Sequence, residues 1–202
     1  YAHSEEDNST PIRETLEALD GLVKAGKIKH IGVSNETPWG VNEYLRLARE
    51  ENLPRIVSIQ NQYSLTNRTF EIGLSEIAIK EQVGLLAYSA LNMGVLTGKY
   101  LDGAQPEGAR FTGTMRNSER YNPTSAEPVV KQYVALAKKY DMSPAELALA
   151  FVAAQRFTTS VIIGSTTLDQ LKVCIDAGEL TLSSELLEDI HAVYTAHPDP
   201  TV

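Results

Sequence analysis

The sequence has one cysteine, Cys174, among its 202 residues. A single cysteine excludes an internal disulfide framework and is typical of a reducing compartment, so we expect the chain to be cytoplasmic. No run of residues approaches the roughly 18 consecutive apolar positions of a membrane-spanning helix. The opening residues, YAHSEEDNSTP, are polar and acidic and lack the apolar segment of a signal peptide. We therefore expect no membrane partner.

Clustered positive charge is missing as well. The formal net charge is −8 and the isoelectric point is near 5.0, which argues against a nucleic-acid partner because such surfaces need grouped lysine and arginine. No cluster of cysteine and histidine predicts a metal site. An anionic ligand would have to be bound by local geometry, against the overall field of the protein.

An initial methionine is also absent, and Tyr1 begins what resembles a loop. We therefore predict that the sequence is a fragment of a longer protein, or that its numbering omits an upstream portion. The chain is 43% hydrophobic, which at this length is enough for a single domain with a sizeable core.

Short apolar strands alternate with amphipathic helices along the chain. The predicted strands cover 28–34, 55–60, 83–89 and 159–165, and the predicted helices cover 12–26, 38–51, 68–81, 127–140, 143–154, 168–177 and 184–195. This alternation predicts an α/β fold with parallel strands joined by right-handed crossovers. The strands lack polar alternation, which is expected when helices cover both faces of a sheet. A Gly-rich, irregular stretch occupies about 92–126, and its part at 102–126, rich in Gly, Pro, Asn and Arg, is predicted to be a long functional loop.

Local patterns predict where several helices begin and which faces they bury. Ser143 and Glu146 form a capping-box pattern, and Thr167 with Gln170 forms a second one. In the first helix, helical spacing predicts four residues that face the core, namely Leu16, Leu19, Leu22 and Val23.

Each predicted strand ends in small polar or aromatic residues. These ends are Ser34-Asn35, Gln60-Asn61-Gln62-Tyr63, Tyr88-Ser89 and Gly164-Ser165-Thr166-Thr167. Ligands of parallel α/β proteins bind at the carboxyl ends of the strands, so these residues are predicted to share one face. Amide and hydroxyl side chains suit a carboxamide, an aromatic ring can stack on a planar ring, and helix N–H groups suit a phosphate. Together they indicate a pocket for a nicotinamide dinucleotide.

Each of these signals also has a simpler interpretation. Ser34-Asn35 after a strand is most often a turn or a helix cap. Gln60 could satisfy a loop backbone, and Tyr88 could pack in the core. Gly164-Ser165 before a capped helix is usually only a helix start. The functional interpretation depends on the convergence of four strand ends.

Four segments resemble the second half of an aldo-keto reductase, in the bacterial branch that is similar to potassium-channel β subunits. They are GKIKHIGVSN, VSIQNQYSL, GLLAYSALNMGVLTGKY and SVIIGSTTLDQL, in the family's order. The resemblance implies a (β/α)8 TIM barrel. The whole chain (1–202) would be the C-terminal half of this single barrel domain and would supply its strands 5–8.

The resemblance also implies a cofactor, NADPH, with a role for each strand end. Ser34, Asn35 and Gln60 would bind the nicotinamide carboxamide, and Tyr88 would stack beneath the nicotinamide ring. The loop over the pyrophosphate would contain Ser89, Leu91, Met93 and Gly94. The adenosine 2′-phosphate would be surrounded by Gly164, Ser165, Thr166 and Gln170.

Two positions depart from the family pattern. Gln170 stands where an arginine is common, although this branch often has glutamine there. Cys174 stands where many relatives have an asparagine that contacts adenine. NADH therefore stays open as an alternative cofactor.

The resemblance implies that the Asp, Tyr, Lys and His catalytic set lies in the first four strand–loop units, which this sequence lacks. His3 is followed by acidic residues with no apolar strand before it, so we interpret it as a loop residue. No catalytic residue is assigned, and the 202-residue chain alone is predicted to be inactive. In the loop at 92–126, Arg110, Phe111 and Arg116 could contact cofactor or substrate, or be solvated.

The function implied for the complete protein is NADPH-dependent reduction of aldehydes or ketones to alcohols, with a small carbonyl compound as substrate. The alternative is an NADPH-binding regulatory or sensor subunit similar to channel β subunits, and a catalytically dead paralogue is a third possibility. A half-barrel would expose its outer strand edges, so a missing N-terminal half or a second copy of the chain is expected as partner.

Overall fold

The computed structural model describes residues 10–113 and 123–201. Within these ranges the helices are α1 (Ile12–Lys24), α2 (Pro38–Glu51), α3 (Leu74–Lys80), α4 (Pro123–Lys139), α5 (Pro144–Ala153), α6 (Leu168–Gly178) and α7 (Ser184–Ala196). The strands are β1 (Ile31–Ser34), β2 (Ile56–Gln62), β3 (Gly84–Tyr88) and β4 (Thr158–Val161). Short 3-10 helices cover Thr69–Glu71, Asn92–Thr97, Leu101–Gly103 and Arg110–Thr112.

The strands form one sheet in the order β1-β2-β3-β4, which confirms the predicted α/β class with a parallel sheet. β1 and β2 pair in parallel, with Gly32 opposite Ser58 and Ser34 opposite Gln60. A Cβ atom at Gly32 would lie 2.5 Å from the Ser58 hydroxyl oxygen and 3.0 Å from the Ser58 carbonyl oxygen. A side chain at this position of β1 would therefore require Ser58 to move.

The chain divides into two compact units. The first contains the described residues up to Asn61 together with Phe70–Leu86, and the second contains Gln62–Thr69 and the described residues from Ala87 onward. In the first unit, the predicted face of α2 is confirmed, because Val41, Tyr44, Leu45 and Ala48 are all buried. Such apolar burial supplies most of the stability of an amphipathic helix.

Several sequence predictions about the first unit are wrong. Leu22 is 39% exposed, so the buried stripe of α1 is narrower than its spacing indicates. Val57, which lies where the β1–β2 register is irregular, is 41% exposed, so β2 is not buried along its whole apolar run. The helix predicted at 68–81 is interrupted at Gly73, whose φ of 85° lies outside the helical region, and α3 begins only after it.

The second unit is organised around buried aromatic side chains. The Tyr63 ring stacks on Phe151 at 5.9 Å between centroids and meets Phe157 edge-on at 5.2 Å. The Tyr133 hydroxyl donates to the Leu65 carbonyl oxygen at 3.1 Å. The predicted capping box at the start of α5 is confirmed, with both reciprocal hydrogen bonds between Ser143 and Glu146.

Two boundaries in the second unit differ from the predictions. α4 begins at Pro123 instead of 127, because buried Ala126 and Val129 hold this turn in the helix although Pro128 has no backbone donor. β4 ends at Val161 instead of 165. The N–H of the next residue, Ile162, still donates to the Ala87 carbonyl oxygen at 2.8 Å, but beyond it the chain leaves the ladder.

Among the described residues, no helix combines the length and the apolarity that crossing a membrane would need.

Candidate cofactor-binding site

The ends of β1 and β2 are joined by a set of hydrogen bonds within the first unit. The Ser34 hydroxyl donates to the Gln60 carbonyl oxygen at 2.9 Å. The Asn35 N–H donates to the same carbonyl oxygen at 3.1 Å and to Oδ1 of Asn61 at 2.8 Å. The structure therefore brings together the three residues predicted to bind a carboxamide, Ser34, Asn35 and Gln60.

Asn35 has a left-handed backbone conformation, with φ of 54°. This conformation is unfavourable for residues other than glycine, although asparagine tolerates it better than most. The Asn61 side chain, which the sequence reasoning missed as a supporting residue, accepts the N–H of this strained position. The only sequence signal for it was its place in the polar run after β2.

Glu36 is a second residue that the sequence reasoning missed. Its side chain is buried, with 1% exposure, and its Oε1 accepts the Thr37 N–H at 2.8 Å. Burial, and in addition the charge of Glu36, raise the pKa of the nearby Tyr44 hydroxyl. A carboxylate is thus buried directly after the polar end of β1, where it helps to begin α2.

The end of β3 leads into a loop with an unusual backbone. Tyr88 and Ser89 are half-buried, and Ser89 has a φ of 56°. Asn92, Met93 and Gly94 then follow with φ of 49°, 56° and 93°. Residues 89–94 therefore contain four residues in the left-handed conformation. At each of the three that are not glycine, this conformation costs about 1–3 kcal/mol, so surrounding contacts must hold it in place.

Backbone hydrogen bonds close this loop on itself. The Asn92 N–H donates to the Ser89 carbonyl oxygen at 2.7 Å, and the Gly94 N–H donates to that of Leu91 at 2.9 Å. Nη1 of Arg110 lies 2.7 Å from the Met93 sulfur. The loop predicted to cover a pyrophosphate is therefore tightly folded, with one arginine against it.

The other candidates from the segment at 92–126 have different outcomes. Phe111 is buried, and its ring meets Tyr100 edge-on at 5.5 Å between centroids. Its role in the described chain is packing. Arg116 lies outside the described residues, as does His3.

The residues before α6 form a local hydrogen-bonded turn in the second unit. The Thr167 hydroxyl caps the helix by accepting the Gln170 N–H at 3.2 Å. Oε1 of Gln170 accepts the Thr166 N–H at 3.0 Å and lies 3.2 Å from the Thr166 hydroxyl oxygen. The predicted capping box is therefore half right, because the reciprocal bond reaches Thr166 instead of Thr167.

The remaining residues of this turn are Gly164, which is exposed, and Ser165. The Ser165 hydroxyl oxygen lies 3.9 Å from the sulfur of Cys174. Cys174 also lines a cavity of about 250 Å³ beside β4, and the lining of this cavity includes none of the predicted cofactor residues. Gly164, Thr166 and Gln170 are exposed to solvent.

The described residues contain no group of three or more side chains that could hold a metal ion. The groups present suit a nicotinamide dinucleotide chemically. Amides and hydroxyls lie at the ends of β1 and β2, a half-buried tyrosine ends β3, and a capped helix N-terminus lies beside Thr166.

Comparisons with known proteins agree with the resemblance of the motifs. Residues 1–195 match the Aldo/keto reductase family. The chain is 48% identical to Protein tas of Escherichia coli (strain K12) over 200 residues, which are 99% of this chain and 58% of that protein. It is 35% identical to an aldo-keto reductase of Babesia bovis, over 96% of this chain and 71% of that protein.

A third relative is the putative voltage-gated potassium channel subunit beta of Schizosaccharomyces pombe (strain 972 / ATCC 24843), 29% identical over 95% of this chain and 58% of that protein. The chain thus spans less than two thirds of the length of Protein tas and of this third relative. The match to the family extends over nearly all of the 202 residues. The chain belongs to the aldo/keto reductase family.

Proposed function

We propose that the chain is the cofactor-binding half of an NADPH-dependent reductase that converts small aldehydes or ketones to alcohols. The observation that carries this proposal is the left-handed backbone at Asn35 and Ser89, each directly after a strand that ends in polar or aromatic side chains. Strained positions of this kind cluster at functional sites, because other contacts must hold them in place. Membership of the family supports the proposed reaction class.

In this proposal each strand end binds one part of the cofactor. Ser34, Asn35 and Gln60 orient the nicotinamide carboxamide, and Tyr88 stacks on the ring. The backbone of Ser89, Leu91, Met93 and Gly94 covers the pyrophosphate. The turn of Gly164, Ser165, Thr166 and Gln170 holds the adenosine 2′-phosphate at the N-terminus of α6. When bound, the nicotinamide supplies the hydride, while these residues position it and limit access of water.

We further propose that the chain corresponds to strands 5–8 of a (β/α)8 barrel. The chain spans 58% of the length of Protein tas, which leaves room for the remaining strands elsewhere in the complete protein. The proton donor of the reaction would lie there, since no tyrosine of this chain occurs in a matching catalytic motif. The 202-residue chain alone should therefore bind cofactor weakly and reduce no carbonyl compound.

The test is a titration of the full-length protein and of the 202-residue chain with NADPH and with NADH, followed by nicotinamide fluorescence. The proposal expects binding by the full-length protein, with aldehyde-dependent oxidation of NADPH. The isolated chain should show no such oxidation. Failure of the full-length protein to bind either nucleotide would overturn the proposal, and turnover by the purified chain alone would overturn the half-barrel part of it.

The regulatory alternative gains no advantage from these observations. The relative named as a channel subunit is 29% identical, compared with 35% for the relative named as an aldo-keto reductase. Cofactor binding by the full-length protein without oxidation of NADPH by any of a panel of aldehydes would favour that alternative.

A further inference from the structure

The last residues of the described chain are bound to a distant segment of the same unit. Both the N–H and the hydroxyl of Thr201 donate to the Thr66 carbonyl oxygen, at 3.4 Å and 2.9 Å. Oδ1 of Asp199 accepts the Arg68 N–H at 2.5 Å. These contacts join residues more than 130 positions apart, and we call Asp199 to Thr201 the C-terminal clasp.

Aromatic contacts reinforce the C-terminal clasp. The Tyr194 hydroxyl donates to Oδ2 of Asp199 at 3.1 Å. The guanidinium of Arg68 lies 4.1 Å from the centroid of the Tyr194 ring and 5.2 Å from that of Phe151, both within cation–π range. The segment Ser64–Arg68 is thus held at the Thr66 carbonyl oxygen, at the Arg68 N–H and at the Arg68 guanidinium.

The same segment supports the loop that follows β3. Asn92 is fully buried, and its Nδ2 donates to the Thr66 hydroxyl oxygen at 3.1 Å. Its Oδ1 is buried without a hydrogen-bond partner among the described residues, so the bond to Thr66 is the main polar anchor of this side chain. Thr66 therefore offers its carbonyl oxygen to Thr201 and its hydroxyl to Asn92.

Asn92 begins the left-handed run that continues through Met93 and Gly94. Because such a run is strained, it persists only where neighbouring contacts determine it. We infer that Thr201 is a positioning residue for the loop Ser89–Gly94, acting through Thr66 without touching the cofactor, while Asp199 holds the same segment at Arg68. The link to cofactor affinity rests on the proposed function, whereas the link to loop order does not.

The experiment compares Thr201→Val, which removes the hydroxyl at nearly constant shape, with Thr201→Ser, which keeps it. Thr195→Val is the matched control, because the Thr195 hydroxyl donates to the His191 carbonyl oxygen at an exposed site of α7. Hydrogen exchange is measured on the full-length protein at the amides of Asn92, Gly94 and Leu96, and NADPH affinity is measured by fluorescence.

The expected result for Thr201→Val is about fivefold faster exchange at these amides and about fivefold weaker binding of NADPH. Thr201→Ser and Thr195→Val should stay within about twofold of the unchanged protein. Exchange that rises only in Ser64–Arg68, or rises equally in the control, would overturn the inference. If the unchanged protein binds no NADPH but the exchange result holds, the proposed function fails and the positioning role survives.

Discussion

The two best-formed groups of predicted cofactor residues are held in different ways. At the end of β1, Ser34 and Asn35 bond to Gln60 and Asn61, partners 26 residues away. In the turn before α6, Gln170 bonds to Thr166 and Thr167, partners three or four residues away. The first arrangement exists only when β1 and β2 pair, whereas the second needs little more than its own sequence.

This difference teaches which part of the site depends on the fold. A change that disturbs the sheet should abolish the geometry around Asn35 but spare the local turn. A change in the turn should act on α6 alone. Substitutions of matched chemistry can test this contrast, beginning with the one that disturbs the contact between β1 and β2.

Gly32→Ala should have the largest effect. The added Cβ would meet both the hydroxyl and the carbonyl oxygen of Ser58, at 2.5 Å and 3.0 Å, so the Ser58 side chain must rotate and the facing backbone must shift. We expect the free energy of unfolding to fall by about 2–3 kcal/mol, measured by urea titration. Gly21→Ala is the control, because it has no atom within 4 Å of its added Cβ and lies inside α1, where alanine should raise stability by about 0.5–1 kcal/mol. Equal effects of the two changes would contradict the tight β1–β2 contact.

Asn35→Ala and Asn35→Gly separate the backbone of this residue from its side chain. Alanine should lower the free energy of unfolding by about 1–2 kcal/mol, because φ is 54°, while glycine tolerates this conformation. Both changes should weaken NADPH binding by about tenfold if the side-chain amide binds the carboxamide. Full affinity in the glycine variant would show that only the backbone conformation matters.

Thr167→Ala should act locally. The hydroxyl caps α6 by accepting the Gln170 N–H, and loss of such a cap costs about 1 kcal/mol. We expect faster exchange of the Gln170 amide with little change at Asn35, and Thr167→Ser should restore the slow rate. Faster exchange at Asn35 of similar size would contradict the local character of the turn.

The smallest effect is expected at Asp189, which is half-buried and makes a long-range contact with the exposed Lys139. Its pKa is lowered, chiefly by the hydrogen bond from Lys139 at 2.7 Å and next by that from the Tyr140 hydroxyl. Because the pKa of Asp189 is lower in the folded than in the unfolded protein, where it is about 4, this carboxylate stabilises the folded state at pH values above the unfolded pKa. This stabilisation is lost as the pH falls through the folded pKa. Asp189→Asn should therefore make the acid limb of a stability–pH curve slightly shallower. A double-mutant cycle with Lys139→Gln should give a small coupling free energy, and a large one would mean that long-range contacts need no burial to matter.

Much of the helical structure could be predicted from the sequence. The bounds of α2 at 38–51, the capping box of α5 and the start of α7 at Ser184 all follow from caps and apolar spacing. The prediction of one helix over 68–81 is wrong at Gly73, because the apolar spacing continues through this residue although its backbone is not helical. The end of β4 failed because apolar Ile162 and Ile163 extend a strand pattern beyond the point where pairing stops.

The candidate site divides along the same line. The sequence alone determined the polar strand ends, the capped start of α6 and the family, because these depend on residue types and on bonds between near neighbours. Tertiary structure alone decided that Asn61 supports Asn35, that Glu36 is buried and that Thr66 connects Thr201 to Asn92. The hydrogen bonds of Asn61 and Thr66 join residues 26 to 135 positions apart, and no local pattern encodes a partner that only the packed fold brings within hydrogen-bonding distance.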